Sequence, residues 1–359
     1  MNESGIPQGW RCAALAPPRA LGAPSARALL KLEPGDFHVE EKLSFAPDGG
    51  PAHRLLRVEK TDANTLFVAR VLAREAGLRP HDVGFAGLKD RRAVATQWFS
   101  LPASRAVDGL AAFEGPGFRV LEVQAHSRKL RRGALAGNRF RILLRDVQGD
   151  LDEVKRRLAA LAARGAPNYF GPQRFGREGA NLEAVQAWLA GGRLPAGREE
   201  RAFVLSAARS LAFNAVLASR VEAGSWERLL PGEVVNLDGS GSVFVAADID
   251  ADLERRCREF DVHPTGPLPG SGGVQPAEEA GQVESAALAP FVALTTALEE
   301  AGAEAARRPL RLRPGSLEYR FEDPCLELAF DLPRGAFATA LLAELLDLEG
   351  DASGDDGSA

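Results

Sequence analysis

The residues best placed to do chemistry lie in one segment, VGFAGLKDRRAVATQWFS at 83–100. An apolar run from Val83 to Ala86 leads to Gly87. Lys89, Asp90, Arg91 and Arg92 follow, and then a β-prone stretch through Trp98 and Phe99. An acid at the end of a strand among three cations is held in its ionised form, the form that acts as a nucleophile. The same tetrad could instead be a polar turn in which Asp90 caps its own backbone. The rest of the chain leaves carboxylates, aromatics and amides to do any chemistry. It contains no GxGxxG after a strand, no P-loop and no GxSxG elbow. The five histidines, at 38, 53, 81, 126 and 263, show no HExxH or i,i+4 spacing, so no metal is expected. Cys12, Cys257 and Cys325 are too few and too far apart for a disulfide framework or a zinc cluster, which fits a reducing cytoplasm.

The charge is polarised. Net charge is -5, yet residues 1–180 hold 29 Lys and Arg against 19 Asp and Glu, and residues 181–359 hold 15 against 30. Such asymmetry points to an anionic partner on the basic half. The densest run, 119–145, carries Arg119, Arg128, Lys129, Arg131, Arg132, Arg139, Arg141 and Arg145 against Glu122 alone. A solvated face is the plain reading. Phe140 and Asn138 among these cations favour RNA, which is bound by basic grooves with aromatic stacking surfaces.

The elements that must position these residues follow from periodicity. Residues 1–30 are rich in Ala and Pro and read as irregular. Phe37–Leu43, Arg54–Lys60, Phe118–Val123 and Phe140–Leu144 read as strands. Asn64 caps a helix with Phe67, Val68, Val71 and Leu72 on its apolar face, and Leu151–Arg164 is a helix with Leu151, Val154, Leu158 and Leu161 inward and Lys155, Arg156 and Arg157 off that stripe. Helices follow at Leu182–Leu189 and about 206–221. Residues 262–283 read as a Pro/Gly-rich loop, 317–331 as a hairpin turning near Asp323-Pro324, and about 337–348 as a final helix. The acidic tail 351–359 reads as disordered. No signal peptide and no apolar run of membrane-spanning length is evident. Strands, then helices, then strands predict an α+β protein with an inserted domain.

Six ordered blocks resemble the TruD family of tRNA pseudouridine synthases. Ala86-Gly87-Leu88-Lys89-Asp90 with Ala93-Val94 matches its A-G-x-K-D-x-x-A-V motif. Gly137-Asn138-Arg139-Phe140, preceded by Arg128-Lys129-Leu130-Arg131, is similar to its G-N-x-F. Residues 167–176, PNYFGPQRFG, match its most specific signature. LSAARS at 205–210, GAFAT at 335–339 and PGDFHVEE at 34–41 complete the set, spanning residues 34 to 339. Arg92 stands where histidine is common in the family.

The resemblance implies an α+β fold. A pseudouridine-synthase catalytic domain, with a mixed and largely antiparallel sheet, would be built from 1–164 and 317–350. An α/β TRUD domain would be inserted at 165–316 and help to wall an RNA-binding cleft, with Gln173, Arg174, Arg177 and Arg209 facing the RNA. Alternatively the 167–176 block is a structural hinge. The implied reaction converts uridine-13 of tRNA to pseudouridine without a cofactor, with Asp90 as the catalytic carboxylate on a flipped-out base. Lys31 or Lys89 would supply a cation beside Asp90, and Lys31 fits better because it leads into the P-x-D-F run. Phe37, Lys89, Asn138, Phe140, Phe337 and Arg174 would bind substrate, with Phe337 or Phe140 stacking on the uracil, a core residue being the equal alternative for Phe140. The expected partner is tRNA, with no membrane and no obligate protein partner. The competing readings are a non-catalytic RNA-binding protein and a hydrolase with paired carboxylates, which would need a second acid near Asp90.

Overall fold

The computed structural model describes residues 7–176 and 179–350. Arg177 and the 351–359 tail, on which two expectations fell, lie outside the described residues. The chain divides into two compact units. One, strand-rich, comprises among the described residues Ala26–Gly149, Pro314–Gly335 and 347–350. The other, helix-rich, comprises among the described residues 7–25, Asp150–Arg313 and Ala336–Leu346. The sequence expected boundaries at 164/165 and 316/317. The helix Leu151–Arg164 instead clusters with the helix-rich unit, because Arg157 is buried there and donates to the carbonyls of Gly22, Ala23 and Glu344. Arg157, expected off the helix's apolar stripe, is thus buried. Leu151, expected inward, is exposed.

The strand-rich unit is built on one mixed, largely antiparallel sheet. Its main order is Gly315–Glu322, Cys325–Pro333, Leu135–Gln148, Phe37–Leu43, Val94–Pro102, His53–Thr61 and Phe118–His126, ending on Glu114–Gly115. The hairpin expected at 317–331 forms, with a cis Asp323-Pro324 bond at its turn. Its second strand pairs with Leu135–Gln148, so distant parts of the chain share the sheet. The helix Thr65–Glu75 covers one face, capped by the Asn64 side chain on the Leu66 N–H. Its buried side is Val68, Ala69, Val71, Leu72 and Ala73, packed on Leu56, Val58 and Phe99. Phe67 is 40% exposed, so the apolar stripe lies one residue round from the expected one.

In the helix-rich unit the long helix Arg198–Glu222 runs through the core, against Trp10, Ala13 and Ala14 of the helix Gln8–Leu15. Residues 1–30 are therefore not irregular throughout. Ala-rich composition concealed that helix, and Arg27–Leu30 is a strand. Arg198–Glu222 is also long and apolar enough to cross a membrane, contrary to the expectation that no run is. More than half of its apolar window is buried inside the protein. An antiparallel sheet orders Val243–Ala246, Glu233–Leu237, Val262–Leu268 and Ala306–Pro309. Val262–Leu268 falls in the expected loop. Six consecutive buried residues and pairing on both sides override its Pro/Gly composition.

Candidate active site

Two central strands of the strand-rich unit run parallel, with His38 beside Val94, Val39 beside Ala95 and Glu40 beside Thr96. This register brings together the segments that lead into them. One carries Lys31 and the 34–36 turn; the other is the loop 86–93 that carries Asp90. Lys31 Nζ lies 2.5 Å from Asp90 Oδ2. Lys31 is 5% exposed and adopts a left-handed backbone (φ 57°), a conformation that costs a non-glycine residue energy and persists only where its surroundings impose it. Its ammonium also stands 4.0 Å from the centre of the Phe37 ring. Asp90 is more open, its side chain 39% exposed, and among the described residues its Oδ1 takes no hydrogen bond. One carboxylate oxygen is thus held by a buried cation while the other remains available.

The turn before Phe37 is fixed by Asp36. Its buried carboxylate accepts from the Glu33 N–H at 3.0 Å and pairs with Arg145 at 2.8 Å. Arg92 donates to the carbonyl of Leu32 at 2.9 Å, tying the Asp90 loop to the residue after Lys31.

Lys89 does not compete for Asp90. Its Nζ donates to Asn138 Oδ1 at 2.9 Å and pairs at 2.9 Å with Glu41 Oε2, whose side chain is fully buried. Glu41 and Asn138 are direct neighbours across antiparallel strands, so their side chains share a face. With its oxygen taken by Lys89, the Asn138 amide presents its NH2 as a donor.

Lys60 was not anticipated. It is fully buried, and its Nζ donates to the carbonyls of Ala63 and Asp90, both at 2.7 Å. Burial pulls its pKa down to about 8; the neighbouring charges Asp90 and Asp62 raise it and Lys89 lowers it. The signal was present in the strand's alternation, which puts Leu56, Val58 and Lys60 on one buried face. The same loop is held by Thr65, which accepts from the Lys89 N–H at 3.1 Å, and by Gln97, which donates to the Gly87 carbonyl at 2.7 Å.

The aromatic candidates divide. Phe140 is 7% exposed and packs between Phe37 (5.8 Å) and Phe330 (5.5 Å between ring centres). Of its two expected places, an open stacking platform or the core, the ring takes the core of the sheet. Phe37 is also buried, beneath Lys31. Phe337 is half-buried and belongs to the helix-rich unit, where its ring lies 6.0 Å from Phe170 and 5.9 Å from the Arg174 guanidinium. Arg174 also donates to Ser206 at 3.1 Å. Arg209, expected to face RNA, instead donates to the carbonyls of Leu268 and Glu304.

The 167–176 block organises the helix-rich core. Asn168 binds the strand Ala306–Pro309 and its neighbours through the carbonyl of Pro309, the N–H-to-carbonyl bond with Leu310, and Arg308. Phe170 is clamped by Asn214, which accepts from its N–H and donates to its carbonyl.

A family model described as tRNA pseudouridine synthase D (TruD) matches residues 19–196 and 197–345. The chain belongs to the TruD family. A tRNA pseudouridine synthase D from Nitrosococcus oceani is 47% identical over 327 residues, covering 90% of this chain and 91% of the relative. One from Methylococcus capsulatus is 45% identical over 334 residues, covering 92% and 94%. The solved structure of a TruD-assigned protein from Methanosarcina mazei matches with a TM-score of 0.69 over 95% of this chain and 98% of that one, at 20% identity, which speaks to fold. In the strand-rich unit, Lys31 pairs with Asp90 beside Phe37, Lys89 joins Asn138 to Glu41, and Asp36 fixes the turn before Phe37.

Proposed function

We propose that the chain isomerises uridine-13 of tRNA to pseudouridine, with Asp90 as the catalytic carboxylate. Membership of the TruD family supports tRNA pseudouridylation as the activity. The observation that carries the assignment of Asp90 is the Lys31–Asp90 pair, in which a buried ammonium holds one oxygen of a carboxylate whose other oxygen is open.

The reaction breaks the N1–C1′ bond, turns the uracil and joins C5 to C1′. C5 loses a proton and N1 gains one, so atoms balance without redox chemistry or an energy source. Asp90 acts at the sugar–base bond, by attack at C1′ or by assisting elimination. Lys31 orients the Asp90 carboxylate and places a positive charge beside it. The base must leave its stack to be reached. Asn138 then donates to a carbonyl of the uracil edge, with Lys89 and Glu41 setting its orientation. Phe337, the more exposed of the ring candidates, and Arg174 supply further substrate contacts. Phe37 serves by seating Lys31. The strand-rich unit acts as the catalytic domain and the helix-rich unit contains the TRUD insertion. A cytoplasmic location follows from the substrate.

The test is tritium release from tRNA carrying [5-³H]uridine, followed by carbodiimide mapping of the product. Release with a modification stop at nucleotide 13 supports the reading. Release mapped elsewhere would keep the chemistry and discard the position.

A further inference from the structure

The structure sorts the cations of the 119–145 run. Arg119 pairs with Glu59 at 2.7 Å, Arg139 with Asp331 at 3.5 Å and Arg145 with Asp36 at 2.8 Å. Arg128, Lys129, Arg131 and Arg132 occupy the loop between the strands Phe118–His126 and Leu135–Gln148. All four are exposed, and among the described residues none pairs with a carboxylate. Four uncompensated like charges within five residues repel one another until an anion is present.

This loop is fastened to the segment that leads into Asp90. Leu130 is 3% exposed, and its N–H donates to Ser100 Oγ at 2.7 Å. Lys129 donates to the carbonyl of His81 at 2.6 Å. The Gly133 N–H donates to the Ala86 carbonyl at 2.7 Å, four residues before Asp90. The Arg132 guanidinium lies 4.3 Å from the Phe85 ring centre. Gly84 permits this approach, since a Cβ there would stand 2.4 Å from the Leu130 carbonyl oxygen. The charges therefore sit on a braced platform joined to the catalytic loop.

We infer that the 128–132 loop is a docking surface for the RNA phosphate backbone beside the reactive uridine. The inference rests on the proposed tRNA reaction and adds the place where the backbone is held. Phosphate contacts fix register and carry the salt dependence of binding. Among the described residues the Arg128 and Arg131 side chains make no hydrogen bond, ion pair or ring contact, so they can be changed without disturbing the brace.

The experiment measures tRNA affinity of the full chain over a series of salt concentrations, together with steady-state kinetics. It compares wild type, Arg128→Ala/Arg131→Ala, Arg128→Lys/Arg131→Lys, and a charge-matched control, Arg255→Ala/Arg258→Ala. For the first double variant, Kd and KM should rise about tenfold at low salt, and the slope of log K against log salt should shrink by roughly 1.5. Its kcat should fall less than about twofold, because docking precedes chemistry. The lysine pair should keep the slope and the control should not lower it. A folded alanine variant with the wild-type slope overturns the inference, as does an equal loss in the control. Should the double variant not fold, Arg131→Gln alone is read the same way, with a slope change of roughly 0.8. A wild type that binds tRNA but never isomerises it removes the proposed function, while the slopes still decide the surface.

Discussion

The ammonium of Lys31 lies 2.5 Å from Oδ2 of Asp90 and 4.0 Å from the centre of the Phe37 ring. A residue 59 positions away thus supplies the acid's counter-ion, while the adjacent Lys89 turns to Asn138 and Glu41. Replacing Lys31 by Met keeps the stem over Phe37 and removes only the charge. We expect kcat to fall by about 10²- to 10³-fold, with tRNA Kd changed less than about threefold. Full activity in Lys31→Met would remove Lys31 from the mechanism.

Lys60 makes two opposed pH predictions. Its folded pKa of about 8 lies below the ordinary lysine value of 10.5, so between these values the unfolded chain binds more protons. Stability from this group therefore rises with pH across that window. Relative to Lys60→Met, which lacks the titration, wild type should gain up to roughly 3 kcal/mol of unfolding free energy. Activity should move the other way, falling above about pH 8 as the cation on the Asp90 carbonyl is lost. Denaturant titrations and pH–rate profiles of the two proteins check both. An alkaline limb that persists in Lys60→Met would assign it to another group.

Lys89→Met should strand the buried Glu41 carboxylate and cost about 3–5 kcal/mol. Adding Glu41→Gln should recover much of that stability but not activity, because Asn138 remains without its tether. Thermal melts with single-turnover rates separate the two effects. Recovery of both would show that Lys89 serves only to neutralise Glu41.

In the helix-rich unit, Asn214 is fully buried and its amide binds the N–H and carbonyl of Phe170 and the carbonyl of Ala13. Asn214→Ala leaves those backbone groups unsatisfied and should destabilise by about 2–4 kcal/mol. A chemical-denaturation difference below about 1 kcal/mol would contradict a clamping role for that amide.

Much of the site was legible because its chemistry sits in short runs. The P-x-D-F-x-V-x-E run contains Asp36, which fixes the turn, Phe37, which seats Lys31, and Glu41, which pairs with Lys89. What was not legible depends on burial. Phe140 reads as a stacking ring until Phe37 and Phe330 are seen on either side of it. Arg157 reads as lying off the apolar stripe of its helix until its carbonyl partners appear from distant segments. The strand Val262–Leu268 was hidden by its two prolines, since composition cannot reveal neighbours that bury it on both sides.

Asp90→Asn decides whether Asp90 is the catalytic carboxylate of a tRNA pseudouridine synthase. Tritium release from [5-³H]uridine tRNA and tRNA Kd are measured for this variant and wild type. Wild type should release tritium, the variant should lose about 10⁴-fold or more, and the Kd values should lie within about threefold of each other. Substantial release by Asp90→Asn would take the catalytic role from Asp90, and none by a folded wild type that binds tRNA would remove the synthase reading.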